Sequence, residues 1–214
     1  MTAPVWLDRL LAASATVQAR ELSRFDTPEQ GRLSAVLVLF GEGPDGPDLL
    51  LIERSAVMRS HAGQPAFPGG AVDPTDDSVV AAALREAQEE TGLDPSGVEV
   101  LATLPELWLP PSGFIVVPVL AWWAKPSPVA AVDPGEVAAV ARVPIAELAD
   151  PANRLTVRHP SGYVGVAFDV RGMRVWGFTG GLIDKLLQLG GWERPWDRER
   201  HSAVPPDVLP SAAS

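Results

Sequence analysis

Cysteine is absent from the 214 residues, which excludes a disulfide framework, a thiol nucleophile and a cysteine-based zinc site. Histidine is scarce, with three in the chain, and His61 has no second histidine at metal-ligand spacing, so zinc is not expected. Basic residues are outnumbered: 17 Lys and Arg against 27 Asp and Glu give a net charge of −10 and a pI near 4.7. A surface of that sign repels phosphate backbones, and nucleic acid is not an expected partner. No apolar run approaches the ~18–20 residues that span a bilayer. The N-terminal stretch lacks an early basic region and carries Asp8 and Arg9 inside its apolar part, so neither a membrane span nor a signal peptide is expected. The missing cysteines fit a reducing compartment, and the expected location is cytoplasmic. Gly-x-Ser-x-Gly, His-Glu-x-x-His and Walker phosphate-loop signatures are also missing.

What is present suits one domain with extensions. Hydrophobic residues make up 46% and charged residues 21%, enough apolar material for a core. Proline and glycine together are about a fifth of the chain, which predicts many breaks between elements. Residues 1–30 read as a helical extension, with Trp6, Leu7, Leu10, Leu11 and Val17 at helical spacing over Val5 to Gln18. Residues 31–190 form the main domain, and 191–214 a tail rich in proline and charge that is expected to be partly disordered.

Within the domain, Ser34 to Phe40 and Asp48 to Arg54 read as buried strands. Between them, Gly41-x-Gly43-x-x-Gly46 matches the glycine pattern of dinucleotide-binding turns. That pattern must open a helix whose N-terminus receives the pyrophosphate, whereas here Pro44 and Pro47 interrupt it and a second strand follows. A plain hairpin is the reading. Asp77 to Thr91 predicts a helix stopped by Gly92. Further strands are expected over Val98 to Leu107, Phe114 to Ala124 and Val137 to Val143, with Pro105, Pro110, Pro111 and Pro118 marking edges, bulges or turns. A short helix over Pro144 to Leu148 follows. After it come a hairpin of Tyr163 to Val170 with Met173 to Trp176, and a helix over Gly181 to Leu189. The class is mixed α/β, with helices packed on mixed sheets and no regular βαβ alternation.

Chemistry concentrates in the Asp77–Thr91 helix. Glu86, Glu89 and Glu90 stand at i, i+3 and i+4, which puts three carboxylates on one face. Together they repel and destabilise an isolated helix. A divalent cation reverses that sign, and hard oxygen ligands favour Mg²⁺ or Mn²⁺.

The run Arg85-Glu86-Ala87-Gln88-Glu89-Glu90-Thr91-Gly92-Leu93 resembles the second half of the box that defines the Nudix hydrolase superfamily. That box runs Gly, five residues, Glu, seven residues, Arg. Here Gly70 plus five leads to Asp76, while Arg85 minus eight leads to Asp77, so the loop is one residue longer and either aspartate stands where the family has its first acid. The resemblance implies an α/β/α sandwich with mixed sheets and a loop–helix–loop metal site. In it Glu86, Glu89 and Glu90 hold Mg²⁺ or Mn²⁺, Arg85 orients the glutamates, and Gly69 or Gly70 lends a backbone carbonyl. Glu136, ahead of the Val137 strand, resembles the position of a further acid that completes the metal site or acts as base.

Upstream, Leu50-Leu51-Ile52-Glu53-Arg54-Ser55 leads through Arg59, His61 and Gly63 to Phe67-Pro68-Gly69-Gly70. This stretch resembles the extra motif of the coenzyme A pyrophosphatase subfamily, as does Val175-Trp176-Gly177-x-Thr179-x-Gly181 near the end. The implied reaction splits coenzyme A, or its acyl or oxidised forms, into 3′,5′-ADP and 4′-phosphopantetheine. Arg54 and Arg59 would read phosphate oxygens with their forked donors, and His61, Gly63, Gly69 and Gly70 would line or shape the substrate site. ADP-ribose or NADH is the alternative substrate class, and a nucleotide sensor without catalysis the alternative function. By analogy with the fold, a homodimer is also an expectation.

Overall fold

The computed structural model describes residues 3–58, 62–110, 112–158, 162 and 164–203. After a 3-10 turn over Val5–Leu7 come α1 (Asp8–Ser14) and α2 (Ala19–Leu22). Then follow β1 (Arg32–Gly43), β2 (Gly46–Arg54), β3 (Pro65–Ala66), β4 (Gly69–Ala71) and α3 (Val79–Thr91). The middle of the chain supplies β5 (Val98–Thr103), β6 (Leu107–Leu109), β7 (Phe114–Trp123), β8 (Val137–Pro144) and α4 (Ile145–Ala149). The last elements are β9 (Arg154–Arg158), β10 (Val164–Val170), β11 (Met173–Val175), α5 (Gly177–Gly190) and β12 (His201–Ala203).

The main sheet runs β3-β2-β1-β7-β5, with β4 alongside β1, β6 alongside β7 and β8 alongside β2. Its centre is the parallel pair β1 and β7, in register from Arg32 opposite Phe114 to Phe40 opposite Trp122. Both strands are apolar on both faces because helices cover both. On one face Ala35, Leu37, Leu39, Val119, Ala121 and Trp123 meet Ala82, Ala83 and Ala87 of α3, small residues that bring the helix close to the strands. On the other, Val38, Phe40, Leu120 and Trp122 meet Leu7 and Leu10 of the N-terminal segment and Leu182, Ile183, Leu186 and Leu187 of α5. A second sheet, β11-β10-β9-β12, adds Phe168, Val170 and Val175 to that core.

Several boundaries differ from the sequence reading for local reasons. The N-terminal helix is shorter than Val5 to Gln18, and a second short helix follows it, started by a capping box of Gln18 and Glu21. Pro118 lies inside the central β7, yet it does mark a break: β5 ends at Thr103 and β6 starts at Leu107, with Leu104 donating to the Pro118 carbonyl at 2.9 Å in the gap. Pro111 lies outside the described residues. The tail expected to be partly disordered touches the fold at points between 192 and 203: Trp192 is tilted against Trp6 and Phe40, and β12 is paired in parallel with β9, while most of the side chains in this stretch are exposed. Residues 204–214 lie outside the described part.

The glycine-rich turn is a hairpin. Gly43 opposes Gly46 across Pro44-Asp45, and Gly46 has φ 96°. Gly41 and Gly43 make room for charge: a methyl on either would lie 2.7 or 2.5 Å from the Asp48 carboxylate, which is buried and paired with Arg142 at 2.8 Å.

Candidate active site

Ser78 caps α3, its hydroxyl accepting from the Ala81 N–H at 3.1 Å, and Gly92 ends it in the left-handed conformation with φ 69°. Between those stops, helical spacing sets where each carboxylate goes. Glu90 turns inward, 8% exposed, and accepts from the Gly69 N–H at 2.9 Å. Glu86 lies over Gly70 so closely that a methyl there would sit 2.5 Å from its carboxyl carbon. Glu89 turns outward, with its side chain 60% exposed.

Arg85 ties this face to the preceding loop. It makes a fork on Asp76, Nε to Oδ1 at 2.9 Å and Nη2 to Oδ2 at 3.0 Å. Nη1 donates to Glu86 at 3.0 Å and Glu89 at 2.9 Å, and Nη2 reaches the Ala71 carbonyl at 3.2 Å. Asp76, not Asp77, therefore partners Arg85, and its hydrogen bonds from Arg85 hold its carboxyl below the usual range. The extra loop residue is absorbed in a turn, where Asp73 Oδ1 accepts from Thr75 and Asp76 Oδ2 accepts from the Asp73 N–H.

Arg54, at the end of β2, approaches Glu90 with Nη1 3.9 Å from Oε1. Glu136 starts β8's approach to the same place, its carbonyl accepting from Ser55 at 2.8 Å. Burial above all, with the charges of Glu86 and Glu136 and against the pull of the Gly69 N–H and Arg54, pushes the Glu90 carboxyl up to about 7. Glu86 is also raised, first by burial and against the pull of Arg85. Gly63, at φ 66°, donates its N–H to the Arg54 carbonyl at 3.1 Å. Arg59 and His61 lie outside the described residues. Of the residues singled out in the sequence, Glu86, Glu90, Gly69, Gly70, Arg54 and Glu136 gather at one place, and Glu89 stands at its rim, held by Arg85.

Comparison with known proteins gives this arrangement a family. A NUDIX domain model matches residues 31–162. The chain belongs to the Nudix family. Curated relatives include an uncharacterized Nudix hydrolase, NudL, of Cronobacter sakazakii, 41% identical over 205 residues, covering 90% of this chain and 98% of the relative. A Nudix hydrolase NudL of Klebsiella pneumoniae is 44% identical over 167 residues, 74% of this chain and 83% of the relative. Among solved structures, RenU, a Nudix hydrolase of M. smegmatis, superposes with a TM-score of 0.54 at 19% identity, over 78% of this chain and 90% of that one; this likeness shows the fold alone. The Nudix assignment carries a coarse chemistry, hydrolysis of nucleoside diphosphate derivatives, generally with divalent metal ions.

The donors of this Nudix chain fit such an ion. Glu86 and Glu90 offer hard carboxylate oxygens at the glycine pair, and acidic neighbours raise the proton affinity of both, Glu89 and Asp76 at Glu86, and Glu86 and Glu136 at Glu90, which is the field a cation relieves. Among the described residues no three acidic or histidine side chains form a ready cage. A hard cation that keeps waters and takes phosphate oxygens from a substrate does not need one.

Two glycine substitutions separate scaffold from site. A methyl on Gly69 would lie 2.3 Å from the Ala35 carbonyl and 2.7 Å from the Val36 Cα, backbone that cannot yield. Gly69→Ala is expected to cost about 3 kcal/mol in a urea melt. The nearest atoms to a methyl on Gly70 are at the movable end of Glu86, so Gly70→Ala should fold normally and lower kcat about 10–100-fold by displacing that carboxylate. Equal effects of the two on stability would contradict this division.

Glu90 also sets a pH dependence. Its folded carboxyl titrates near 7 against 4.5 when unfolded, so the metal-free folded state holds a proton that the unfolded chain has released. The stability this group contributes is complete below about pH 4.5, declines as pH rises and is gone above about 7. Glu90→Gln should therefore gain on the wild type between pH 5 and 8, by about 3 kcal/mol at most. Denaturant melts of both metal-free proteins at the two pH values measure it; a constant difference would contradict the buried, proton-holding carboxylate.

Proposed function

We propose that the protein is a Mg²⁺- or Mn²⁺-dependent diphosphatase of coenzyme A, or of its acyl or oxidised derivatives, releasing 3′,5′-ADP and 4′-phosphopantetheine. One observation carries the reading. The upstream arginine, Arg54, and the box carboxylate, Glu90, face each other at the glycine pair that joins their two motifs. Both stretches therefore serve one site, as a substrate with phosphates beyond its diphosphate requires.

Glu86 and Glu90 would hold the ion, with the Gly69 carbonyl and Glu89 as further ligands, the latter through release of its exposed side chain from Arg85. When bound, the ion neutralises charge on the diphosphate and acidifies a water. Asp76 fixes Arg85, and Arg85 fixes Glu86. Arg54 and Arg59 would engage phosphate oxygens, and Glu136, whose charge is felt at Glu90, would complete the metal site or take the proton of the attacking water. Bonding of water oxygen to phosphorus breaks the bond to the bridging oxygen, and the leaving phosphate departs as an anion. His61 and Gly63 would line or shape the substrate end.

A product-resolved screen of coenzyme A, acyl-coenzyme A, ADP-ribose and NADH with each metal tests the reading. The expected outcome is the highest kcat/KM for a coenzyme A compound, with phosphopantetheine as product. A higher value for ADP-ribose or NADH would move the substrate class and keep the chemistry. Binding without product would leave a nucleotide sensor.

A further inference from the structure

Two arginines serve this site in opposite ways. Arg85 commits its donors to Asp76, Glu86, Glu89 and the Ala71 carbonyl. Arg54 has a fixed backbone and an uncommitted end. Its N–H donates to the Gln64 carbonyl and its carbonyl accepts from Gly63, both at 3.1 Å, at the point where the β2–β8 register shifts between Glu53 and Arg54. Yet its Nη1 stands 3.9 Å from Glu90 Oε1, beyond hydrogen-bond distance, and its buried Nε has no hydrogen-bond partner among the described residues. A guanidinium is a planar fork suited to two oxygens of one phosphate. Here that fork is held beside a carboxylate it does not grip.

We propose that Arg54 is a displaceable counterion of Glu90 that couples cation binding to diphosphate binding. Without a cation, its charge offsets that of the buried carboxylate. A divalent ion arriving at Glu90 meets that positive charge, and substrate phosphate relieves the conflict by giving the fork oxygens of its own. Cation and diphosphate therefore bind better together than either does alone, and by linkage each strengthens the other equally. The inference rests on the reading of Glu86 and Glu90 as cation ligands.

Opposite signs distinguish this role from a scaffolding one. Arg54→Met should bind Mn²⁺ alone about tenfold more tightly than the wild type, since it removes a positive charge a few ångströms away. Its KM for the best substrate at saturating Mn²⁺ should rise at least about tenfold, with the loss of a charge-assisted fork. Arg54→Lys keeps the charge without the fork, so it should bind Mn²⁺ like the wild type while its KM rises. Free Mn²⁺ measured by electron paramagnetic resonance gives the first quantity and steady-state kinetics the second; if Arg54→Met does not fold, Arg54→Gln takes its place. Unchanged or weaker Mn²⁺ binding in the neutral variant, or an unchanged KM in Arg54→Lys, overturns the proposal. Absence of Mn²⁺ binding to the wild type that depends on Glu90 would instead overturn the metal-site reading beneath it.

Discussion

Glu90→Gln should lower kcat/KM at least about 10³-fold, equivalent to about 4 kcal/mol of transition-state stabilisation. The size follows from position. Glu90 is the most enclosed carboxylate of the helix, fixed by the Gly69 N–H and flanked by Glu86. An amide of the same shape keeps the hydrogen bond from Gly69 but brings no charge to a cation. Glu86→Gln should lose activity similarly. Residues holding one ion fail as a unit, so the double variant should be little worse than either single one. Glu89→Gln should lose much less, about 10–100-fold, because its side chain is exposed and engaged with Arg85 rather than the glycine pair. The loss at Glu90 cannot be blamed on unfolding, since the same change should make the metal-free protein more stable above neutral pH. Steady-state rates across a Mg²⁺ titration, with melts on the same samples, provide the check. Equal losses at Glu89 and Glu90 would mean that the outward glutamate is as deeply engaged as the inward one.

Helical spacing placed the three glutamates on one face but could not say which of them is buried. That is decided by β4, whose two glycines let the sheet approach the helix at Glu86 and Glu90 and leave Glu89 outside. Spacing also left Asp76 and Asp77 as equal candidates, because the extra loop residue could be absorbed on either side. The Arg85 fork and the Asp73 turn choose Asp76. The hairpin at Gly41 to Gly46 was legible from its prolines, since they deny the helix that a pyrophosphate would need. The reason for Gly41 and Gly43 was not, because it depends on Arg142 from β8 pairing with Asp48 beneath them. Local pattern reaches strand, helix and turn. It does not reach contacts made by distant segments, and the meeting of Arg54 with Glu90 across 36 positions is of that kind.

Asp184→Asn should cost about 3–5 kcal/mol of stability, a fall in Tm of about 10–15 °C for a chain of this size. Arg154 at the start of β9 is completely buried and pairs with Asp184 of α5, with Glu193 3.5 Å away. Its guanidinium lies between the Phe168 and Trp196 rings, 5.3 and 4.7 Å from their centres. One cation thus joins the second sheet, the last helix and the start of the tail that its proline and charge marked as partly disordered. Removing the acid leaves a charge out of water with the half-exposed Glu193, 3.5 Å away, as its remaining carboxylate, and that penalty exceeds the modest worth of an ion pair as such. The double variant Arg154→Met, Asp184→Leu should therefore recover most of the loss, because it removes the stranded charge and keeps apolar volume against Phe168 and Trp196. Denaturant melts of the wild type, Asp184→Asn and the double variant decide the matter. A double variant no more stable than Asp184→Asn would show that the packing of the guanidinium against Phe168 and Trp196, rather than charge compensation, holds the tail in place.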